Sequence, residues 1–330
     1  MATLVTGASG FVGAALCEEL VTRGERVIGL DRTPPAAEFL TAIAGAPGNF
    51  SFIALDLKDH GALARVFADH PVDRVVIGAA ITADQARERI DPSGIIAVNI
   101  GSVVETIRCA AGARVSRVVY LSSGAAYGAS AREVSVLTET SPLKPTSLYG
   151  ITKQAGEACA LRLGETFGME VVVGRLGTCY GRFERATGVR DTLSAPFQVI
   201  RLACEGVPAS LPRPAPRDWL YARDAAAAIA AVLYAPQLPH RVYNLAADFR
   251  WSLADLCARL ETVVPGWRWM ISTDSNVNLY EDFDRAPMGI DRLMADTSFR
   301  PQYDLAKAFA EIVADHAPLA RFAPKDTALP

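Results

Sequence analysis

The chain begins with a short apolar stretch that runs directly into a glycine-rich turn, and this feature constrains the fold most. Residues 2–5 predict a buried strand, and residues 10–23 predict a helix with apolar side chains along one side. Between and within them stand Gly7, Gly10 and Gly13, with two residues between successive glycines. Glycines at such a turn let the backbone bend sharply, approach a ligand closely and bring the helix against the strand. The segment therefore predicts the start of a βαβ unit.

The predicted turn is suited to a phosphate ligand, because the free N–H groups at a helix start face outward and attract anions. A second apolar stretch, residues 26–30, ends at Asp31. A carboxylate at this place in a dinucleotide-binding fold accepts hydrogen bonds from the adenosine ribose, which favours NAD over NADP. Arg32 keeps NADP open, because a guanidinium can pair with a 2′-phosphate. The alternatives are a ligand-free turn and a solvated carboxylate at Asp31.

Strand and helix patterns alternate through the first half of the chain, which is typical of an α/β fold with a parallel sheet covered on both faces. The predicted strands are 2–6, 26–30, 51–55, 73–77, 117–122 and 170–175. The predicted helices between them are 10–23, 59–69, 94–112 and 146–168. We expect residues 1–181 to form a doubly wound, Rossmann-type domain that binds NAD.

The pattern changes after Gly181, where a segment rich in arginine and proline begins. We expect residues 182–330 to form mostly a smaller substrate-binding lobe, with some segments returning to the sheet. The elements predicted there are a helix at 224–234, a strand at 242–246 and helices at 252–262 and 304–316. Arg185 and Arg190 follow the end of a predicted strand, where ligands of such folds bind. They are candidates for holding a substrate carboxylate, and the alternative is a solvated surface.

Composition excludes several classes of function. The chain has 330 residues, half of them hydrophobic, and a formal net charge of −3, which gives no electrostatic case for nucleic acid. We expect no membrane span and no signal peptide, because apolar runs are short and the first strand begins at once. Six cysteines without C-x-x-C spacing predict reduced thiols in a cytoplasmic protein. Four histidines lack ligand spacing, so we expect no metal site.

An acid/base pair is predicted on the helix 146–168. Tyr149 and Lys153 are four residues apart and therefore neighbours on one helix face. A free phenol, with a pKa near ~10, is a poor base at neutral pH, but a nearby lysine and a positively charged nicotinamide lower that value. Ser123 ends the predicted strand 117–122, where it can bind a substrate hydroxyl or carbonyl. The alternative is an amphipathic helix with a partly buried tyrosine and a surface lysine.

Taken together, these motifs resemble the extended short-chain dehydrogenase/reductases, a family that includes nucleotide-sugar epimerases and dehydratases. The resemblance covers nearly the whole chain and rests on Thr6–Gly13, Asp31, Asp56-Leu57, Gly78–Ala80, Asn99, Ser122-Ser123, Tyr149–Lys153 and Arg217–Trp219. It implies that the cofactor also contacts Phe11, Val12, Asp56, Leu57, Ala79, Ala80, Asn99, Ser122, Lys153 and Leu176. It implies that Arg217 meets a substrate pyrophosphate, for which a domain-interface ion pair is the alternative. Asp56 has the alternative of a helix cap, and Asn99 that of a buried structural amide.

Departures from the family bear on the reaction. Family dehydratases carry an acidic residue just after the catalytic hydroxyl, where this chain has Gly124 and Ala125. Nucleotide-sugar enzymes usually have an asparagine where this chain has Thr178, and the approach to Arg217 is proline-rich. We therefore expect first an NAD-dependent dehydrogenase of a small polar alcohol, such as a sugar acid or polyol. A UDP-sugar epimerase is the alternative, followed by a non-catalytic NAD(P)-sensing protein. The resemblance also implies a homodimer formed through helices 94–112 and 146–168.

Overall fold

A computed structural model describes residues 1–315 and shows an α/β fold. Residues 316–330, which hold His316 and the end of the predicted helix 304–316, lie outside the described part. The strands are β1 (Ala2–Thr6), β2 (Arg26–Asp31), β3 (Asn49–Ala54), β4 (Val72–Ile77), β5 (Arg117–Ser123), β6 (Glu170–Leu176), β7 (Thr178–Tyr180), β8 (Ala209–Leu211), β9 (Pro216–Arg217), β10 (Trp219–Tyr221), β11 (Val242–Leu245), β12 (Trp251–Ser252) and β13 (Trp269–Ile271).

The α-helices lie mostly between these strands. They are α1 (Phe11–Thr22), α2 (Ala37–Ala42), α3 (His60–Asp69), α4 (Gln85–Ile90), α5 (Pro92–Ile96), α6 (Ser102–Gly112), α7 (Leu148–Phe167), α8 (Ala195–Glu205), α9 (Ala222–Tyr234), α10 (Leu253–Val263), α11 (Asp291–Asp296) and α12 (Leu305–Asp315). A π-helical turn, Ala97–Gly101, joins α5 to α6. Short 3-10 helices cover Gly124–Ala126 and Ala129–Arg132.

Seven parallel strands form the main sheet in the order β11-β6-β5-β4-β1-β2-β3. The chain adds strands on one side of β1 up to β3 and then on the other side from β4 onward. Ligands of such sheets bind at the carboxyl ends of the strands beside this reversal. The predicted Rossmann-type sheet is confirmed, and the crevice lies between the ends of β1 and β4.

The central strands are buried because helices cover both faces of the sheet. All five residues of β1 are buried, and so are the first six residues of β5. Strands buried on both faces are mostly apolar instead of alternating. Helix α7 begins at Ser147, whose hydroxyl accepts a hydrogen bond from the Gly150 N–H at 3.1 Å, and it ends at Gly168, which has a left-handed backbone. The two caps fix the length of the helix that carries Tyr149 and Lys153.

The second half of the chain contributes both to the sheet and to a separate apolar cluster. Strand β11 pairs with β6 as the outermost strand, and α9 packs against α1. Three two-stranded sheets, β7–β10, β8–β13 and β9–β12, lie beside a second core. Trp219, Trp251 and Trp267 pack in that core with side chains of α8, α10 and α12. The division into domains 1–181 and 182–330 remains a prediction.

The expectation that apolar runs are too short to span a membrane is corrected for one helix. Residues Pro92–Gly112 form a continuous helix of 21 residues that is long and apolar enough to span a membrane by length and composition. Sequence reasoning overlooked it because the π turn and its polar residues interrupt the apolar pattern. Val103 and Ile107 of this helix are buried against Val118 and Tyr120 of β5. These contacts are those of a helix that covers one face of the sheet.

Candidate active site

The glycine turn lies at the carboxyl end of β1, against the end of β4. Gly7 has a φ of +75°, and a Cβ added there would lie 2.8 Å from the Cα of Ala79. A Cβ on Gly13 would lie 2.0 Å from the carbonyl oxygen of Gly7. Both positions therefore require glycine, for the turn and for the approach of α1 to the strand end. Gly10 precedes α1 as its N-terminal cap.

The residues of this turn fit a dinucleotide cofactor. The Ser9 hydroxyl is buried and has no hydrogen-bond partner among the described residues, so it can bond a phosphate oxygen at the turn. Asp31 accepts hydrogen bonds from the backbone N–H groups of Ser9, at 3.2 Å, and Thr33, at 3.1 Å. Its carboxylate is therefore held beside the turn. Arg32, the residue after Asp31, is exposed.

Other predicted cofactor residues lie near the carboxyl ends of strands of the main sheet. Phe11, Val12 and Leu176 pack in one small apolar cluster. Asp56 and Leu57 follow β3, whose partner strand β2 ends at Asp31. The remaining residues at this edge follow β4 or end β5, namely Ala79, Ala80 and Ser122. Their roles in binding remain predictions.

Tyr149 lies in the first turn of α7 and faces the end of β5. Its hydroxyl interacts with the hydroxyls of Ser123 and Thr82. Burial raises the pKa of Tyr149, while the hydrogen bonds with Ser123 and Thr82 and the charge of Arg190 oppose that rise. In the protein alone, the pKa of this phenol is therefore above its usual value. This direction is opposite to the predicted lowering by Lys153.

Lys153 is a buried cation one turn further along α7, with 3 % of its surface exposed. Its ammonium group donates a 2.8 Å hydrogen bond to the carbonyl oxygen of Leu121 and lies 5.8 Å from the centroid of the Tyr149 ring. Burial lowers the pKa of Lys153 to about 8, although the charge of Glu157 opposes this. The lysine is a packed part of the site and not the surface residue of the alternative interpretation.

A buried ion pair beneath the site was not foreseen from the sequence. Glu157 accepts hydrogen bonds from the Arg175 guanidinium at 2.8 and 3.0 Å and from the Ser122 hydroxyl at 2.5 Å. Arg175 also donates to the Tyr127 hydroxyl at 3.0 Å. The signal was present, because Glu157 stands four residues after Lys153 on the same helix face. The pair ties α7 to β5 and β6 directly below the acid/base residues.

The structure supports the structural alternative for Asn99. Its side chain is buried in the π turn, accepts a hydrogen bond from the Ile81 N–H at 2.8 Å, and donates to the Ile81 carbonyl and the Thr152 hydroxyl at 3.0 Å. These bonds use its donors and its acceptor within the protein. Asn99 therefore joins the segment after β4 to α7, and its implied contact with a cofactor remains a prediction.

Thr178 and Arg217 come together on the other side of the crevice. Arg217 donates a 3.2 Å hydrogen bond to the Thr178 hydroxyl and a 2.7 Å bond to the Glu281 carboxylate. The pair lines a small cleft. Other lining residues are Arg213, Trp219, Asn278, Tyr280 and Asp284. This bond is of the kind that the ion-pair alternative for Arg217 predicts, although the sequence did not indicate Glu281, 64 positions away, as the partner.

The two arginines predicted to hold a substrate carboxylate are not among the residues that line this cleft. Arg185 donates to the carbonyl oxygen of Ser9 at 3.3 Å, beside the glycine turn, and its role in substrate binding remains a prediction. Arg190 pairs with the buried Glu184 at 3.1 Å. Its guanidinium lies 5.8 Å from the ring centroid of Phe11 and is close enough to Tyr149 to lower its pKa. Of the two, Arg190 is the one beside the predicted catalytic residues.

The sequence predicts reduced cysteine thiols and no metal site. The six cysteines all lie in the described part, where they form no disulfide, and four of them are buried. Residues 1–315 contain no group of three or more histidine, cysteine or acidic side chains that could hold a metal ion.

Comparison with known proteins places the chain in a family. The family model described as "NAD dependent epimerase/dehydratase family" matches residues 3–246, and the chain belongs to that family of enzymes. A dTDP-glucose 4,6-dehydratase of Xanthomonas campestris is 30 % identical over 246 residues, which are 71 % of this chain and 68 % of the relative. The sequence-based resemblance to NAD-dependent extended short-chain dehydrogenase/reductases is confirmed.

Solved structures share the fold. A UDP-glucose 4-epimerase of Thermotoga maritima superposes with a TM-score of 0.79 at 19 % identity, covering 95 % of this chain and 98 % of that one. A UDP-glucuronic acid 4-epimerase of Bacillus cereus superposes with a TM-score of 0.76 at 22 % identity, covering 93 % and 94 %. At these identities the likeness shows a common fold and leaves the substrate of this chain to its own residues.

Proposed function

We propose that the protein is an NAD-dependent epimerase of a nucleotide sugar. The observation that carries this proposal is the position of Tyr149 in the first turn of α7, with the buried ammonium group of Lys153 5.8 Å from the centroid of its ring. The crevice also has an arginine-lined cleft beyond this trio, at Arg217. Relatives named for UDP- and dTDP-sugars favour a nucleotide-sugar substrate over the small sugar acid or polyol expected from the sequence.

The cofactor side of the proposal rests on the glycine turn. Gly7 and Gly13 allow the turn to pack closely against the start of α1, whose free N–H groups suit a pyrophosphate, and the Ser9 hydroxyl supplies a further donor. Asp31 supplies a carboxylate for the adenosine ribose. When bound, NAD supplies the hydride acceptor for oxidation of a secondary alcohol and the donor for its return.

The acid/base chemistry is assigned to the chain's own side chains. Tyr149 removes the proton from the reacting hydroxyl and returns it after inversion, while Ser123 holds the same oxygen by a hydrogen bond. Lys153, as a buried cation near the ring, favours the phenolate form of Tyr149. These roles use one proton-transfer group, which is sufficient when the sugar is oxidised and reduced again at one carbon.

A dehydratase is disfavoured because elimination needs a further acid. The residues after Ser123 are Gly124 and Ala125, and neither side chain can transfer a proton. A Cβ added to Gly124 would lie 2.9 Å from the sulfur of Met288, so the site leaves little room for a carboxylate there. This distinguishes the chain from its relatives that are named as dehydratases.

We also propose a cytoplasmic homodimer. The helices expected to form its interface each expose a large apolar residue, Ile96 at 45 % and Ile151 at 48 %. Apolar side chains of this size on the outer side of paired helices suit a helix-bundle contact. Sedimentation equilibrium of the wild type and of Ile151→Lys tests this. A dimer that Ile151→Lys weakens supports the interface, and a wild-type monomer contradicts it.

The proposed activity is tested by incubating the protein and NAD with UDP-sugars, dTDP-sugars, free sugars, sugar acids and polyols. NADH absorbance and sugar composition are followed together. An epimerised nucleotide sugar without net NADH supports the proposal. Net NADH from a sugar acid or polyol, with no change in any nucleotide sugar, overturns it in favour of a dehydrogenase.

A further inference from the structure

We propose that Glu281 determines how tightly the cleft at Thr178 and Arg217 binds the charged part of a substrate. The Glu281 carboxylate is bonded to the Arg217 guanidinium, which a nucleoside diphosphate would need for its own contact. Diphosphate binding therefore requires the Glu281–Arg217 bond to break. The inference rests on the proposed function, in which Arg217 receives the diphosphate.

Both terminal nitrogens of Arg217 already have partners in the protein. One donates to the Thr178 hydroxyl at 3.2 Å, and the other to the Glu281 carboxylate at 2.7 Å. The second bond is charge-assisted and is the stronger of the two. A phosphate approaching Arg217 therefore competes with a carboxylate and not with water.

Each arginine around the cleft has an acidic partner within the protein. Glu281 also lies 3.7 Å from the buried Arg285, and Arg213 pairs with Asp284 at 2.9 Å. Although burial raises the pKa of Glu281, the charges of Arg217, Arg285 and Arg213 hold it below its usual value, so the group is an anion at neutral pH. A diphosphate added to this arrangement would face a like charge beside it, which disfavours binding.

Glu281 is the partner that can move. Arg217 lies in strand β9, opposite Trp251 of β12, and its side chain is 9 % exposed. The Glu281 side chain is 27 % exposed and stands in the loop between β13 and α11. Nearby backbone is anchored, because the Asn278 N–H donates to Gln198 at 2.8 Å. Rotation of the Glu281 side chain into solvent is therefore the expected way to release Arg217.

Calorimetry with UDP on the NAD-loaded protein tests this role. Glu281→Gln keeps the size of the side chain and removes its charge, so we expect UDP to bind at least ~10-fold more tightly, the scale of one charge-assisted contact. Uridine, which has no charge, should bind with unchanged affinity. Asp282→Asn is the matched control, because this neighbour is 85 % exposed and pairs with Arg132 outside the cleft. It should leave UDP binding unchanged.

The outcomes separate this inference from the proposed function. If the wild type binds UDP and Glu281→Gln binds it equally well or more weakly, the role of Glu281 is overturned and the proposed function is not. UDP binding only after the substitution supports that role and overturns the proposed substrate. No binding by either protein overturns both. A crystal structure of the wild type with UDP avoids dependence on the variant's stability: a retained Glu281–Arg217 bond contradicts the inference, and a released one supports it.

Discussion

The ammonium group of Lys153 lies 5.8 Å from the centroid of the Tyr149 ring, one turn away on the same helix. A 2.8 Å hydrogen bond to the carbonyl oxygen of Leu121 fixes the ammonium group against β5. Because the lysine is buried, its charge acts on the phenol through protein and not through water. The pair is thus arranged to influence proton transfer at Tyr149.

Tyr149→Phe keeps the ring and removes the oxygen that transfers the proton. We expect folding and NAD binding to persist and the chemical step to slow by ~100-fold or more, the usual scale for a lost general acid/base. Single-turnover kinetics with the substrate found in the screen measure this step. Near-normal turnover of the variant would show that the tyrosine has a structural role only.

The buried lysine predicts a pH-dependent stability. The pKa of Lys153 is about 8 in the folded chain and about 10.4 in an unfolded one, so between these values the unfolded state binds a proton that the folded state has released. The contribution of Lys153 to the free energy of unfolding therefore increases as the pH rises from about 8 to about 10.4. Lys153→Met should remove a slope of up to ~1.4 kcal/mol per pH unit.

Urea unfolding of the wild type and Lys153→Met across this pH range measures the difference. Lys144→Met is the matched control, since Lys144 is an exposed lysine paired with Glu133. Its curve should run parallel to that of the wild type. Parallel curves for Lys153→Met as well would mean that the pKa of Lys153 is not depressed.

Asp31 predicts a preference for NAD over NADP. Its carboxylate is held beside the glycine turn by the N–H groups of Ser9 and Thr33, where a 2′-phosphate would be repelled. We expect NAD to bind at least ~10-fold more tightly, and Asp31→Asn to reduce that ratio. Calorimetry with both cofactors is the measurement. Equal or tighter binding of NADP by the wild type would indicate that Arg32 sets the preference.

The ion pair of Glu157 and Arg175 predicts a large loss of stability when it is broken on one side. Glu157→Gln leaves the buried Arg175 without its counter-charge, and we expect a loss of ~3–5 kcal/mol in the free energy of unfolding. Glu165→Gln, at the exposed pair with Arg162 on the same helix, should cost less than ~1 kcal/mol. Similar small losses for both variants would contradict the importance of the buried pair.

The parts of the fold with strong local signals could be predicted. The turn at Gly7–Gly13, the six strands of the first half and the helix from Ser147 to Gly168 depend on apolar pattern, glycine and caps that lie close together in sequence. Helix α4 was missed because it has no buried residue, so no apolar periodicity marks it. Its start depends on the Asp84 side chain, which accepts a hydrogen bond from Arg87 N–H.

The candidate site could be predicted where its residues lie at the ends of predicted strands or on a predicted helix. Ser123, Tyr149 and Lys153 come together because β5 and α7 are adjacent in the fold. Thr82 and Glu281 were missed because they reach the site from separate segments, and pairing across long sequence distances leaves no local pattern. Glu157, on the same helix face as Lys153, was missed because its partner Arg175 lies on β6. The contact of Arg185 with Ser9 could not be predicted for the same reason, since it depends on how the segment after β7 passes the glycine turn.

The most direct test of the central claim follows hydride through one turnover. The protein and NAD are incubated with a UDP-sugar that carries deuterium on the carbon to be inverted. We predict that the epimer retains deuterium at that carbon and that no labelled NADH accumulates, because the hydride returns to the sugar from which it came. Deuterium released into NADH, together with an oxidised sugar as the product, would contradict an epimerase and indicate a dehydrogenase.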